Sequence, residues 1–166
     1  MHFPIYSSIP YSPIAGKVLL GAKENSLLLA DNLLASALLH SLRGAQSQNK
    51  IDFLVPIPSR QSVVRKRGRQ FIATLSRRIG ETENLPTEEI LTHIRRVRDQ
   101  SNLDAKDRAI NLDGALISLR FLSGRAVLID DLVTTGATLH EAARALRARG
   151  ITVAAAVTAC VAEPLR

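Results

Sequence analysis

Two adjacent carboxylates, Asp130 and Asp131, close the apolar run Ala126-Val127-Leu128-Ile129, and Thr134-Thr135-Gly136-Ala137-Thr138 comes shortly after them. Small residues of this kind let a backbone wrap tightly around an anion, with N–H groups and hydroxyls turned inward as a nest. A helix starting near Gly136 would add the positive end of its dipole, so the stretch suits one phosphate. Ionised carboxylates only accept hydrogen bonds. Asp130 and Asp131 therefore suit ligand hydroxyls, or a hard cation such as Mg²⁺, and not the phosphate itself. A phosphate site beside a diol site is the outline of a ribose 5-phosphate.

These residues must be held by a strand, a loop and a helix. The run from Arg125 predicts a strand that ends at the acid pair. Leu139, Ala142, Ala143 and Leu146 recur at helical spacing, Gly150 follows as a stop, and Ile151 to Ala159 predicts a second strand. In such a unit the ligand lies beyond the carboxyl end of the strand. Earlier in the chain, Ile51 to Pro58 predicts a strand halted by prolines. The basic span Arg60, Arg65, Lys66, Arg67, Arg69, Arg77 and Arg78 follows it without an acidic residue. Ile72, Leu75 and Ile79 place its second half on a helix ended by Gly80, with Arg77 and Arg78 on a solvated face. Arg60 to Arg69 would lie in the loop after the strand and face the same site as Asp130. Ile90 to Arg95, containing a structural His93, and Ala115 to Leu119 predict further strands. The polar stretch between them, Arg96 to Asn111, is long enough to be a lid or a loosely ordered segment. Near the start, Ile14 to Lys23 and Leu27 to Arg43 predict two helices, the second ended by Gly44.

The length of 166 residues supports one domain with a real core. A net charge of +7 favours anionic ligands. The lone Cys160 excludes an internal disulfide and a multi-cysteine metal site, and it belongs in the core. His2, His40 and His140 have no metal-ligand spacing. The longest apolar stretch, Ile151 to Ala162, is too short to cross a bilayer, and the start does not have the pattern of a signal peptide; both point to a cytoplasmic protein. The G-x-x-x-x-G-K-[ST] and G-x-G-x-x-G signatures of P-loop and Rossmann nucleotide sites are missing.

Val127 to Asp131 with Thr134 to Thr138 resembles the phosphoribosyl diphosphate motif of type I phosphoribosyltransferases. Val55-Pro56-Ile57-Pro58, Arg60 and Arg65-Lys66-Arg67-Gly68 resemble a stretch of the ComF and GntX group within that fold. So do Arg96, Gln100, Leu103, Arg108, Asn111 and Gly114, and the opening Tyr11, Pro13 and Lys23. Two departures stand out. Arg69-Gln70-Phe71 follows Arg67-Gly68 where the family commonly has Phe-Asn-Gln, and the cysteine-rich zinc ribbon that opens many members has no counterpart.

The resemblance implies an α/β fold of type I phosphoribosyltransferase kind: a mostly parallel sheet flanked by helices, with a small N-terminal helical hood. Residues 1–166 would be one domain, with about 1–48 as hood and about 50–166 as core. It implies transfer of phosphoribose from phosphoribosyl diphosphate, with Mg²⁺ held mainly by the substrate, to a nitrogenous acceptor. Asp130 and Asp131 would hold the ribose hydroxyls. Thr134, Thr135, Gly136, Ala137 and Thr138 would hold the 5-phosphate. Ser59, Arg60 and Arg67 would hold the diphosphate, and Lys106 would join Asp130 and Asp131 as a catalytic residue from the mobile loop. Two other classes stay open. One is a module that binds the sugar or a nucleoside monophosphate without turnover. The other is an accessory protein of DNA uptake, meeting competence proteins or single-stranded DNA. The sparse aromatics, none of them among the arginines, count against a stacking platform for DNA. A homodimer is the expected assembly.

Overall fold

The computed structural model describes residues 3–25, 27–59, 63–65, 68–94 and 114–162. Four strands form a parallel sheet: β1 (Ile5–Pro10), β2 (Phe53–Pro56), β5 (Arg125–Val133) and β6 (Thr152–Val161), in the order β1-β6-β5-β2. β3 (Leu91–His93) and β4 (Leu116–Ser118) make a separate antiparallel ribbon. Among the described residues the long helices are α1 (Pro13–Asn25), α2 (Leu28–Gln48), α3 (Phe71–Glu83) and α4 (Ala137–Arg147). A parallel sheet needs cover on both faces, and the helices divide accordingly. Leu34, Leu38 and Leu42 of α2, with Leu75 and Ile79 of α3, pack on Val127, Ile129 and Val157. On the other face Leu139, Ala142 and Leu146 of α4 pack on Val55, Leu128 and Ala156.

Several expected boundaries move, each for a packing reason. The strand β1 was not expected, because Pro4, Pro10 and Pro13 punctuate it. An edge strand tolerates prolines at its ends, and the ends here are tied down by Ala156 N–H to Pro4 O at 2.9 Å and Tyr11 N–H to Val161 O at 2.7 Å. The first 48 residues therefore supply an edge strand and a core helix as well as α1, which rests on α2. Gly44 does not end α2. The apolar face continues to the fully buried Ala45, and the helix runs on to Gln48; one interior glycine costs only about 1 kcal/mol against alanine. Gly80 does not end α3 either. The helix closes at Asn84, left-handed at φ 54°, whose N–H meets Gly80 O. Gly80 is needed for close approach: a Cβ there would lie 2.6 Å from Leu85 O and 2.9 Å from Thr87 Oγ1. Finally, β5 runs past the acid pair to Val133, so Asp130 and Asp131 lie inside the strand and not at its end.

Candidate phosphoribosyl site

The parallel order brings the carboxyl ends of β2 and β5 to one edge. β2 pairs with β5 as far as Pro56 opposite Ile129, and the Ile57 N–H then meets Ile129 O at 2.9 Å. Beyond that point, among the described residues, Asp130 and Asp131 have no strand neighbour on the β2 side. Successive strand side chains point to opposite faces. Asp131 follows Val127 and Ile129 to the face of α1 and α2. Asp130 follows Ala126 and Leu128 to the face of α4, where it lines a pocket with Thr134 to Thr138 and Leu139.

Gly136 makes the turn into α4 with φ 74°, a left-handed conformation that favours glycine. No side chain caps this helix N-terminus, and Thr135 Oγ1 gives the Ala137 N–H only a long 3.4 Å contact. The first-turn N–H groups thus face the pocket at the positive end of the dipole. On the opposite side His140 Nδ1 lies 3.0 Å from Gly136 O and fixes the turn. The five residues expected to hold a phosphate and the first of the two acids are therefore brought together.

Asp130 retains an opening to the pocket but is hemmed in on the protein side. Burial, then the neighbouring Asp131 carboxylate, push it up to about 8, against the opposing pull of Lys23 and of the Asp131 N–H, which donates to Asp130 Oδ1 at 2.9 Å. Asp131 is 6% exposed and takes the Lys23 ammonium from the last turn of α1 as its ion-pair partner. In the sequence Lys23 stands out only through its motif with Tyr11 and Pro13; nothing in its spacing announces a contact with a residue more than a hundred positions away.

The basic span behaves differently from its expected role at one residue. Arg69 turns inward and away from the ligand edge. It forks onto Asp31 with Nη1–Oδ2 at 2.5 Å and Nη2–Oδ1 at 2.9 Å, donates to Ala22 O at 2.6 Å, and lies over the Phe71 ring. Its neighbour Gln70 accepts the Ser59 N–H at 3.2 Å, and His93 Nε2 lies 3.1 Å from Pro58 O, so two side chains hold the end of β2 in place. A ligand anion would have to take the Ser59 N–H from Gln70. Arg77 pairs with Glu89 and Arg78 with Asn32 on the exposed face expected of them. Cys160 is buried, as expected, and burial pushes its thiol up. Arg60, Arg67, Lys106 and the stretch 98–111 lie outside the described residues.

Among the described residues no cluster of three or more His, Cys, Asp or Glu could hold a metal by itself, and no helix is long and apolar enough to cross a membrane. In the pocket, Asp130 alone among the two acids could reach a Mg²⁺ ion, which would keep waters and take its other oxygens from a bound phosphate.

A curated relative, Competence protein F of Haemophilus influenzae, is 29% identical over 129 residues, which is 73% of this chain and 56% of that protein. The chain thus spans a little over half the length of that relative. The solved structure of adenine phosphoribosyltransferase from Thermoanaerobacter pseudethanolicus is similar at a TM-score of 0.45 and 16% identity, over 85% of this chain and 70% of that one. The family model for the phosphoribosyl transferase domain matches residues 30–164, from α2 through the acid pair and its threonine turn to just beyond β6. The chain belongs to the phosphoribosyl transferase domain family.

Proposed function

We propose that the protein binds phosphoribosyl diphosphate together with Mg²⁺ and transfers phosphoribose to a nitrogenous base. The observation that carries this is the single pocket shared by Asp130 and the uncapped N-terminus of α4. The 5-phosphate would sit on the N–H groups of residues 135–138, with the threonine hydroxyls around it. The ribose hydroxyls would face Asp130, and Asp131 could reach them only by leaving Lys23. This anchoring would hold C1 toward Ser59 in the loop after β2, and Arg60 and Arg67 would meet the diphosphate there.

In the transfer an acceptor nitrogen attacks C1 as the bond from C1 to diphosphate breaks. Negative charge grows on the departing group, so donors placed in advance around it lower the barrier. Loss of one such donor typically costs about 3 kcal/mol. Held between phosphate and diol anchors, the sugar also meets its acceptor in a fixed orientation. Mg²⁺, where bound, would neutralise diphosphate charge, with Asp130 holding it directly or through the ribose hydroxyls. Lys106 is proposed as a further cation for the leaving group.

Calorimetric titration with phosphoribosyl diphosphate and Mg²⁺, followed by a panel of bases as acceptors, tests this. The paired change Asp130→Asn and Asp131→Asn should abolish most of the affinity with the fold intact; equal affinity in both proteins would sink the assignment. The similarity to Competence protein F supports a second reading, in which the site binds its sugar phosphate as an accessory module without turnover. Tight binding with no diphosphate released for any base would select it.

A further inference from the structure

We propose that Thr158, backed by Ser7, is a positioning residue for Asp130: its buried hydroxyl turns onto the carboxylate when ligand hydroxyls engage it, and so fixes the direction in which the acid faces the sugar. The inference rests on Asp130 being ligand-facing, as proposed above.

The sheet register sets these residues side by side. On the α4 face Ile5, Ala156 and Leu128 form one row across β1, β6 and β5, and all three belong to the apolar layer there. Two residues nearer the carboxyl edge the row is Ser7, Thr158 and Asp130, polar throughout. Alternation keeps this row on the same face. Thr158 is fully buried, yet its Oγ1 meets no hydrogen-bond partner, and neither does the buried Ser7 Oγ. Hydroxyls on the opposite face are bonded: Ser8 Oγ donates to Ala37 O at 2.7 Å, and Ser41 Oγ donates to Thr158 O at 3.0 Å. The unbonded pair is the one in line with Asp130.

A buried hydroxyl without a partner is costly, so two of them side by side call for a state in which they are bonded. Asp130 can supply it. In this structure Asp130 Oδ1 accepts the Asp131 N–H at 2.9 Å, which turns the carboxyl along its own strand. Neighbouring strands lie about 4.8 Å apart, so rotation of the Thr158 side chain brings its hydroxyl within reach of a carboxyl oxygen on β5. Ser7 can then donate to Thr158 Oγ1 in turn. A hydroxyl both donates and accepts, whereas a carboxylate only accepts, so the chain runs one way and ends on Asp130. A carboxylate held from behind in this manner presents its remaining lone pairs to the pocket.

The phosphate nest is built from other residues, so two probes separate the two halves of the site. Inorganic phosphate needs only the nest; ribose 5-phosphate also needs Asp130. Thr158→Val keeps the shape and removes the hydroxyl. In phosphorus NMR titrations it should leave the affinity for phosphate unchanged and lower that for ribose 5-phosphate about tenfold or more. The unliganded variant should be at least as stable in urea as wild type, because a costly unbonded group is gone. Thr158→Ser should recover most of the affinity, and Ser7→Ala should give a smaller loss of the same kind. With Asp130→Asn in place, Thr158→Val should cost no further affinity, since the two act as one unit. A merely structural threonine would lose stability on change to Val and weaken both probes alike, and that result overturns the proposal. A Thr158→Val protein that does not fold counts as the same outcome. So does a folded one that binds ribose 5-phosphate as wild type does while Asp130→Asn weakens it. If Asp130→Asn itself leaves that affinity unchanged, the site reading above falls, and this proposal with it.

Discussion

Among the described residues Asp130 is the one whose charge state the fold disturbs most, and that has two consequences. Its folded value of about 8 exceeds the ordinary 3.8, so between those values the folded protein holds a proton that the unfolded chain releases. Stability from this group is complete below about pH 4 and is lost as pH rises through about 8. Thermal melts from pH 5 to 8.5 should show that decline, and Asp130→Asn should flatten it. Ligand hydroxyls or a cation favour the carboxylate form, so binding should release a proton. Titrations in buffers of different ionisation enthalpy at pH 7 measure that release directly, and a buffer-independent enthalpy would contradict it. Gly136 is the other decisive residue. With φ at 74°, an alanine would carry about 1–2 kcal/mol of left-handed strain. Gly136→Ala should cost that much in urea stability and lower the affinity for ribose 5-phosphate by more than tenfold, because relief of the strain turns the N–H groups of the nest.

At the scale of elements, side chains hold pieces of backbone that no ladder reaches. Glu141 on α4 accepts the Leu116 N–H at 2.9 Å, and Arg144 donates to Leu116 O at 2.8 Å while pairing with Glu141. Together they bond both backbone groups of one β4 residue and fasten the β3–β4 ribbon to α4. Against the opposing effect of burial, Arg144 and the Leu116 N–H hold Glu141 below the usual 4.5. The sign is opposite to that of Asp130: this stability is present above about pH 4.5 and is lost as pH falls through the lowered folded value. Glu141→Gln should lose about 1–2 kcal/mol at pH 7, and the gap to wild type should close on acidification below pH 4. A gap that persists unchanged at pH 3 would show that shape and not charge holds the ribbon. The clamp of Arg69 on Asp31 and Ala22 O does the equivalent task for α1 and α2.

Over the whole molecule, stability should reside in the two apolar layers and not in the many surface charges. Leu38 and Leu42 of α2 are fully buried between the sheet and its neighbours. Leu38→Ala should cost about 3 kcal/mol, seen as a lower urea midpoint with an unchanged slope. Arg77→Ala, by contrast, removes an exposed pair with Glu89 and should cost under about 0.5 kcal/mol. The sugar site should survive Leu38→Ala, since α2 covers the face opposite to the threonine turn. If the Leu38 change abolished ligand binding at unchanged fold, the two faces would be coupled more tightly than their separate cores imply.

The sequence by itself determined the strand-turn-helix that carries the site. Its signals are local: an apolar run, two acids, small residues that suit a turn, and a helical period. Backbone sterics and short-range hydrogen bonds write such features into neighbouring residues. The same locality revealed α1, β6 and most of α2 and α3. What spans long separations was not legible. The edge strand β1 exists because β6 offers it a free ladder, which its prolines conceal. Gly44 and Gly80 have the look of helix stops, and only the packing of Ala45 and the return of Leu85 explain why the chain passes through them. The acid pair looks uniform in sequence, yet pleating sends Asp130 to the threonine turn and Asp131 to Lys23. Arg69 belongs by composition to a basic anion-facing loop, and only the approach of α1 and α2 turns it inward onto Asp31. Which charge meets which is a property of the assembled layers, because Coulomb contact depends on distance in space and not on position along the chain.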